Sequence, residues 1–401
     1  MKIEATYNDL FQDKLIFKDI GREDYYEKDY PTLVKQRNRK PTRFIKYMLN
    51  IRQAIRSKPR KKGNLLFLEH KFERIARNLS DQYNIYLLHD SIKIYREFRK
   101  YKYFQYFYRT WLKQIDKSFT THNMDYATEA MESVQSYLIK NDINLVLVGN
   151  DKMFMEKLLL LAARNANIPT VVIQHGIYTD EVSFQKLKTA DTAVNFWAWS
   201  QYVKDCYLRR YNRDEKSVKV IGYPFELIEP VQPVLKSVLF IGNNYKKGDP
   251  KAGEKFVDIA KTVLSICEEL NILFNYRPHP GEIIDSEYGD LKDYIHTSNT
   301  LLEDIDSANI VIGDISSVMI EAGLCSRDVI QILWNELSRT ASKDPMYSFT
   351  IKVSNERDEI KNAITRCLSY HERHQIEEYY MYRNPTLFED IRRYIEELIN
   401  Q

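Results

Sequence analysis

The chain has 401 residues, of which 44% are hydrophobic and 29% charged, and its 59 Lys and Arg against 56 Asp and Glu give a formal net charge of +3. This length fits about two to three domains of about 150 residues each, and 12 Gly with 12 Pro exclude a fibrous or low-complexity chain. No apolar run reaches the roughly 18 residues of a membrane-spanning helix, and the four scattered cysteines predict neither a zinc site nor a disulfide framework.

The charge is distributed unevenly along the chain. Residues 30–68 contain 12 Lys or Arg and no acidic residue, so the other 47 basic residues stand against all 56 acidic ones. Proteins that coat nucleic acid are usually basic throughout, so we expect no nucleic-acid partner. The basic segment 30–68 instead predicts contact with an anionic membrane surface through Lys46, Arg52 and Arg56, which lie off the apolar face of a predicted helix. A solvated helix pair packed on the first domain is the alternative.

The elements become regular only after residue 125. Before that point, aromatic residues interleaved with Lys and Arg predict an amphipathic helix over residues 93–113. Buried-strand and amphipathic-helix patterns then alternate. The predicted strands are 144–149, 170–174, 195–200 and 217–224, with helices over 152–165 and from Gln201.

A segment with Pro230 and Pro233 separates a second series of the same kind. Its predicted strands are 237–244, 272–277, 309–314 and 328–333, with helices over 253–270, 301–307 and 316–325. Strands that alternate with helices require crossover connections and therefore parallel pairing.

Two such series predict an α/β protein with two Rossmann-like doubly wound domains that face a cleft. The first domain is expected over residues 1–228, including the basic segment, and the second over residues 237–380. Residues 384–401 are predicted to form a separate amphipathic C-terminal helix led by Pro385.

In open parallel sheets, ligands bind beyond the carboxyl ends of the strands, so candidate binding residues are expected in the loops that follow each predicted strand. Arg277-Pro278-His279-Pro280 follows one strand, and its two prolines fix the backbone on both sides of the histidine. Such a histidine can donate a hydrogen bond or a proton to a phosphate oxygen that leaves a substrate. A rigid turn with an incidental histidine is the alternative.

Two further loops of the second series carry phosphate-binding features. Ser316 and Ser317 open a helix, where hydroxyls, backbone N–H groups and the helix dipole can bind an anion, although a simple helix cap also explains them. Glu321, one turn later, could accept hydrogen bonds from a ribose. Gly242-Asn243 could let the backbone approach a phosphate, or form a plain turn.

One loop of the first series offers base candidates from the opposite wall of the cleft. His175 follows a predicted strand, and Asp180 and Glu181 follow shortly after it. One of the three could take the proton from an attacking hydroxyl. A polar loop with a structural histidine is the alternative.

Four motifs together resemble the GT-B fold glycosyltransferases of bacterial surface-polysaccharide assembly. They are QHG at 174–176, VIGYP at 220–224, RPHP at 277–280 and SSVMIEA at 316–322. The His-Pro and Ser-Ser pair resembles sialyltransferases and Kdo transferases, which use CMP-activated sugars. The same pair also resembles the CDP-glycerol glycerophosphotransferases.

This resemblance implies a transferase that moves a sugar, such as Kdo or a sialic-acid-like sugar, from a CMP-activated donor to a glycan or lipid-linked acceptor. It implies no metal and no other cofactor, because histidine and a helix N-terminus can stabilise the leaving nucleotide. The implied catalytic residues are His279, His175, Asp180 and Glu181, and the implied donor-binding residues are Arg277, Ser316, Ser317, Glu321, Gly242 and Asn243.

Capsule or other cell-envelope polysaccharide synthesis would place the protein in the cytoplasm, held peripherally at the inner face of the cell membrane by the basic segment. Three alternatives remain open at this point. They are a CDP-glycerol-type glycerophosphotransferase, a nucleotide-sugar epimerase of the same fold, and an RNA-binding protein that uses the basic segment and the aromatic residues 95–111.

Overall fold

The computed structural model describes most of the chain from residue 61 onward. The described residues are 61–68, 72–88, 103–105, 111, 114, 117–118, 121, 123–149, 154–176, 195–211, 213–227, 235–245, 249–280, 282, 284–295, 299–370 and 376–400.

A first sheet is built from apolar runs in the amino-terminal half. Its strands are β1 (Asn64–Leu68), β2 (Asn84–Leu88), β3 (Tyr103–Gln105), β4 (Leu145–Val148), β5 (Thr170–Ile173), β6 (Asn195–Ala198) and β7 (Val218–Val220). They pair in the order β3-β2-β1-β4-β5-β6-β7, and all neighbours are parallel. β1, β4 and β5 are buried along their whole length, as parallel strands covered on both faces must be.

A second sheet follows in the carboxyl-terminal half. Its strands are β8 (Ser237–Ile241), β9 (Leu273–Arg277), β10 (Ile310–Gly313), β11 (Asp328–Ile332) and β12 (Ile351–Val353). The order is β12-β11-β10-β8-β9, again with parallel neighbours throughout.

Helices connect the strands in both halves. They are α1 (Glu73–Leu79), α2 (Asp125–Lys140), α3 (Phe154–Asn165), α4 (Gln201–Tyr211), α5 (Pro250–Glu269), α6 (Leu301–Ser307), α7 (Ser317–Leu324), α8 (Glu336–Ala341), α9 (Arg357–Tyr370) and α10 (Leu387–Ile399). Their starts follow capping chemistry. The Asp249 carboxylate accepts from the Ala252 N–H at the start of α5, and Thr300 with Glu303 forms a capping box at α6. Three 3-10 helices also lie within the described ranges, at Glu215–Ser217, Ser286–Tyr294 and Pro345–Tyr347.

The predicted fold class, two Rossmann-like doubly wound domains with a C-terminal helix, is confirmed. Two expectations for the first 125 residues need correction. The helix predicted over 93–113 is wrong at Tyr103–Gln105, which forms β3 beside β2, because aromatic residues favour extended backbone beside a strand edge. The last five residues of the basic segment form β1, a buried strand of the first sheet, so this part of the segment does not face a membrane.

The C-terminal helix returns to the first sheet. Leu387, Ile391 and Ile395 of α10 are buried in one hydrophobic cluster with β1, β5 and α1. The chain that leads into α10 passes close to Gly222, which has φ +85° and leaves no room for a side chain, since an added Cβ would lie 2.6 Å from Cβ of Asn384. The glycine of the VIGYP motif is therefore required by this chain crossing.

A second hydrophobic cluster continues from one sheet to the other. It contains Trp199 and Tyr223 from the carboxyl ends of the first-sheet strands together with Met319 and Ile320 of α7. The Tyr202 hydroxyl at the start of α4 also donates to Asp344 Oδ2 at 3.1 Å. The two halves therefore share one buried core.

Candidate functional site

The strand order places three of the predicted loops side by side. In the second sheet the order reverses between β8 and β10, and β9 lies on the other side of β8. Ile241 pairs with Arg277, and Phe240 pairs with Ile312, so the loops that follow the three strands start at the same level. The Gly242 N–H donates to the Arg277 carbonyl at 2.8 Å. The reversal point of a doubly wound sheet is where such folds bind ligands, and Gly242, Arg277 and Ser316 lie in the loops or strand ends at this point.

Asp314, which follows β10, connects these loops. Its side chain is 2% exposed and accepts hydrogen bonds from Asn243 Nδ2 at 3.1 Å, Trp334 Nε1 at 3.1 Å and the Ile315 N–H at 2.7 Å. The Tyr245 hydroxyl is a fourth donor. Burial raises the pKa of Asp314, while these donors act in the opposite direction. Asn243, which is predicted to bind the nucleotide-sugar donor, is thus oriented by this buried carboxylate.

The two adjacent serines lie at the amino terminus of α7, as predicted. Ser316 is the capping residue, and its hydroxyl accepts from the Val318 N–H at 3.2 Å, while Ser317 is the first residue of the eight-residue helix. Both serines are half-buried. Both serines and the N-terminus of α7 directly follow β10, so they lie at the same end of the sheet as the loops after β8 and β9, where a helix N-terminus would stabilise an anion.

The RPHP loop places Arg277 and His279 in different environments. Arg277 donates to the buried Asp304 Oδ2 at 2.7 Å and to the Asn299 carbonyl at 2.7 Å, so its charge is paired within the second domain. His279 is exposed. Its backbone N–H donates to Glu282 Oε2 at 2.7 Å, which fixes the loop beneath the imidazole.

Glu321 of α7 faces the first sheet. Burial raises its pKa to about 7, and the hydroxyl of Tyr223, which follows β7, limits this rise. Tyr223 itself is 3% exposed, and burial together with the Glu321 carboxylate holds the pKa of its phenol well above the ordinary value. A carboxyl group that changes charge near neutral pH therefore lies where the two domains meet.

The opposite wall is formed by the carboxyl ends of β4, β5 and β6. Gln174 is fully buried; its side chain accepts from the Trp199 N–H at 2.7 Å and donates to the Gly176 carbonyl at 2.9 Å. The next residue, His175, donates from Nδ1 to the Gly149 carbonyl. This contact places the lone pair of a neutral imidazole on Nε2, which suits a general base.

Some predicted residues fall outside the described part of the chain. These are Asp180 and Glu181, and the membrane residues Lys46, Arg52 and Arg56. No helix among the described residues is long and apolar enough to cross a bilayer. Across the same residues, no group of three or more His, Cys, Asp or Glu side chains is arranged to hold a metal ion.

Sequence reasoning missed four residues that organise the site: Asp314, Glu282, Tyr223 and Gln174. Each of these residues lies within one of the sequence motifs or within two positions of it. Its role depends on partners that lie far away along the chain, such as Trp334 for Asp314 or Trp199 for Gln174. For Asp314 the available signal was an acidic residue at the end of an apolar strand, with no Lys or Arg between Lys292 and Arg327.

Comparison with known proteins identifies the fold. No family model matches the sequence, and no curated protein matches it. Among solved structures, the UDP complex of Staphylococcus aureus MnaA is similar, with a TM-score of 0.59 and 13% identity over 84% of this chain and 97% of that one. The Neisseria meningitidis UDP-GlcNAc 2-epimerase bound to UDP-GlcNAc has a TM-score of 0.57 and 13% identity over 83% of this chain and 99% of that one. A glycosyltransferase from Rickettsia africae has a TM-score of 0.51 and 12% identity over 85% of this chain and 100% of that one.

These similarities, together with the two parallel sheets, define the chain as a protein of the GT-B fold. The identities are too low to transfer an activity, so function has to be argued from the site.

Proposed function

We propose that this protein is a glycosyltransferase that moves a sugar from a nucleotide-activated donor, with cytidine as the base, to a hydroxyl of a glycan or lipid-linked acceptor in surface-polysaccharide synthesis. The observation that carries the proposal is the convergence of the Gly242, His279 and Ser316 loops at the reversal point of the second sheet. This combination of a histidine, a glycine-containing loop and a serine-capped helix suits a nucleotide phosphate.

The proposed chemistry assigns a task to each wall of the site. An acceptor hydroxyl attacks the anomeric carbon, the bond between that carbon and the phosphate oxygen breaks, and negative charge develops on the nucleotide. The hydroxyls of Ser316 and Ser317 and the N-terminus of α7 would stabilise this charge. His279 would donate a hydrogen bond or a proton to the leaving phosphate, and Glu321 would accept from the ribose.

The proton of the attacking hydroxyl needs a base on the other wall. His175, Asp180 and Glu181 are the candidates, and the contact between His175 Nδ1 and the Gly149 carbonyl supports the imidazole. Arg277, whose guanidinium is paired with Asp304, would border the donor at the end of β9. The mechanism is proposed to be metal-independent, and turnover in excess EDTA would test this.

Nucleotide binding gives a direct test of the donor. Purified protein is expected to melt at a higher temperature with CMP or CDP than with the same concentration of UMP, UDP or GDP, because ligand binding to the folded state stabilises it. Equal shifts with cytidine and uridine nucleotides would contradict the cytidine assignment. Mass spectrometry of the products formed from CMP-, CDP-, UDP- and GDP-linked donors would then identify the transferred group, including glycerol phosphate.

Replacing His279 tests the proposed mechanism. His279→Ala should lower kcat about 100-fold or more, because general acid catalysis contributes on the order of 10²–10⁴ in rate. Its melting temperature should stay close to that of the wild type, since the side chain is exposed. Lys251→Ala, which truncates another exposed residue of the second domain, is the matched control. Near-normal turnover of His279→Ala would reduce the histidine to a turn residue.

A second candidate is a nucleotide-sugar epimerase, favoured by the similarity to the Neisseria meningitidis UDP-GlcNAc 2-epimerase. The two activities differ in their need for an acceptor. An epimerase converts the donor sugar alone, which NMR of the nucleotide sugar would show, whereas the proposed transferase releases nucleotide only when an acceptor receives the sugar.

The basic segment 30–68, up to the start of β1, is proposed to hold the enzyme at an anionic membrane, near a lipid-linked acceptor. Each Lys or Arg near anionic lipid adds about 1 kcal/mol. Such binding predicts co-sedimentation with phosphatidylglycerol vesicles. We expect this co-sedimentation to be lost in about 0.5 M salt, because salt screens the attraction between surface charges. Binding that is equal for neutral vesicles would contradict it.

A further inference from the structure

Glu282 is held by an unusually complete set of hydrogen bonds. Its Oε1 accepts from the Tyr276 hydroxyl at 2.5 Å and from the Tyr288 hydroxyl at 2.6 Å. Its Oε2 accepts from the His279 N–H at 2.7 Å. The Glu282 N–H in turn donates to the His279 carbonyl at 2.8 Å. Both backbone polar groups of His279 are therefore bound by one residue.

The two tyrosines make this arrangement rigid. Tyr276 lies on β9 and Tyr288 on the 3-10 helix that follows the loop, and each is 1% exposed. Their rings pack edge to face with centroids 6.0 Å apart. Because both hydroxyls converge on the same carboxylate oxygen, the orientation of the carboxylate is fixed by groups that belong to the core.

Gly242 leaves the space that the carboxylate occupies. A Cβ added at Gly242 would overlap Glu282 Oε2 and would lie 2.7 Å from the Tyr276 hydroxyl. The glycine is therefore required for the approach of Glu282, and the loops after β8 and β9 are joined through this contact. The contact with Glu282 is thus a second reason for a glycine in the loop after β8, in addition to access for a phosphate.

We infer that Glu282 is a positioning residue for His279, which orients the imidazole toward the donor site by fixing the backbone of the RPHP loop. This inference rests on the role of His279 in the proposed function. Fixing the backbone matters because a displacement of about 1 Å of a catalytic group can cost on the order of 100-fold in rate.

The two acceptor oxygens of Glu282 suit the fixing of the RPHP backbone. Burial raises the pKa of its carboxyl group, and the hydroxyls of Tyr276 and Tyr288 and the His279 N–H act against that rise. A carboxylate has acceptor capacity on both oxygens, whereas an amide has it on one. An alanine at position 282 removes both oxygens, and with them the acceptors of the His279 N–H and of the two tyrosine hydroxyls.

Amide hydrogen exchange in Glu282→Ala tests the anchoring without any need for activity. The His279 N–H should exchange about tenfold faster or more than in the wild type, because its acceptor is lost. Tyr288→Phe, which removes one hydroxyl donor from the carboxylate, should give a smaller acceleration at the same amide. Glu254→Ala, which removes an exposed carboxylate from α5, is the matched control. Unchanged exchange at His279 in Glu282→Ala would overturn the inference.

A double-mutant cycle tests the consequence for turnover. Glu282→Ala alone should lower kcat about tenfold while the KM for the donor changes less, and it should have little further effect in a His279→Ala background. Independent, multiplicative losses would show a role apart from His279 and overturn the inference. Wild-type protein that transfers no sugar, or His279→Ala that remains fully active, would instead contradict the proposed function, while the exchange experiment still decides the anchoring.

Discussion

Two carboxyl groups close to the site differ in the number of donors that act against the effect of burial. Asp314 accepts from four donors and serves as a fixed connection between loops. Burial nevertheless raises the pKa of Asp314 above its ordinary value. Burial raises the pKa of Glu321 to about 7, with only the Tyr223 hydroxyl acting against the rise, so this group changes its proton occupancy near neutral pH.

The elevated pKa of Glu321 predicts a pH dependence of stability. In the unfolded chain this group ionises near its ordinary value of 4.5, and in the folded protein near 7. Between these values the folded state binds more protons, so its stability is complete below pH 4.5 and falls as the pH rises toward 7. Glu321→Gln lacks this loss and should become increasingly stable relative to the wild type over the same interval.

Urea unfolding at half-unit pH steps measures this difference. The midpoint of Glu321→Gln minus that of the wild type should grow as the pH rises from 4.5 to 7 and then level off. Glu254→Gln, at an exposed position, controls for the loss of a negative charge. Parallel curves for Glu321→Gln and the wild type would contradict a raised pKa at this site.

Among the elements, α10 has the clearest structural role. Ile391 and Ile395 are fully buried in the cluster that covers one face of the first sheet. Arg392 donates from Nη2 to the Asn78 carbonyl at 2.9 Å at the end of α1. The apolar stripe of α10 therefore completes the core of a sheet whose last strand lies far earlier in the chain.

Truncation of this stripe should destabilise the whole first domain. Ile391→Ala is expected to cost about 2–4 kcal/mol of unfolding free energy, as for other large-to-small changes in packed cores. Ile139→Ala on α2 is the matched control, because Ile139 is 61% exposed, and it should cost less than about 0.5 kcal/mol. Similar midpoints for the two variants in urea unfolding would show that α10 is not part of this core.

Most elements after residue 144 were predictable, because buried parallel strands such as β4 and β5 are short apolar runs between amphipathic helices. β1 and β3 were not. β1 has four apolar residues after Asn64 and closely follows a stretch of basic residues, so the charge dominated the interpretation. β3 has three residues and is recognisable only through its pairing with β2.

The loops that form the site were predictable from the sequence, but the contacts between them were not. Its motif residues follow strands, and the rule for parallel sheets places them at one edge. The contacts that orient them depend on register, which the sequence alone does not fix. Gly242 and Glu282 are 40 positions apart and meet because β8 and β9 pair with Ile241 opposite Arg277.

At the scale of the whole molecule, the two domains share a hydrophobic cluster. Tyr223 from the first domain and Met319 and Ile320 from the second are at most 3% exposed within it. The domains are expected to unfold together, because separating them would expose this apolar surface to water.

The tryptophans allow this expectation to be measured. Trp111, Trp197 and Trp199 belong to the first domain and Trp334 to the second. In Trp334→Phe, fluorescence therefore reports on the first domain alone, and circular dichroism on both. Coincident urea transitions from the two signals are expected. Two separated transitions would show that the shared cluster does not couple the domains.

The return of α10 to the first sheet has a consequence for biosynthesis. Ribosomes produce the chain from its amino terminus, so β1 to β7 emerge before the 13 residues of α10, which complete the cover of one face together with α1. During synthesis of the second domain, α1 covers this face only in part, and the sites that Leu387, Ile391 and Ile395 fill stay exposed. The first domain therefore reaches its final state only after translation has passed residue 399, and chaperones would have to protect the early half rather than the late one.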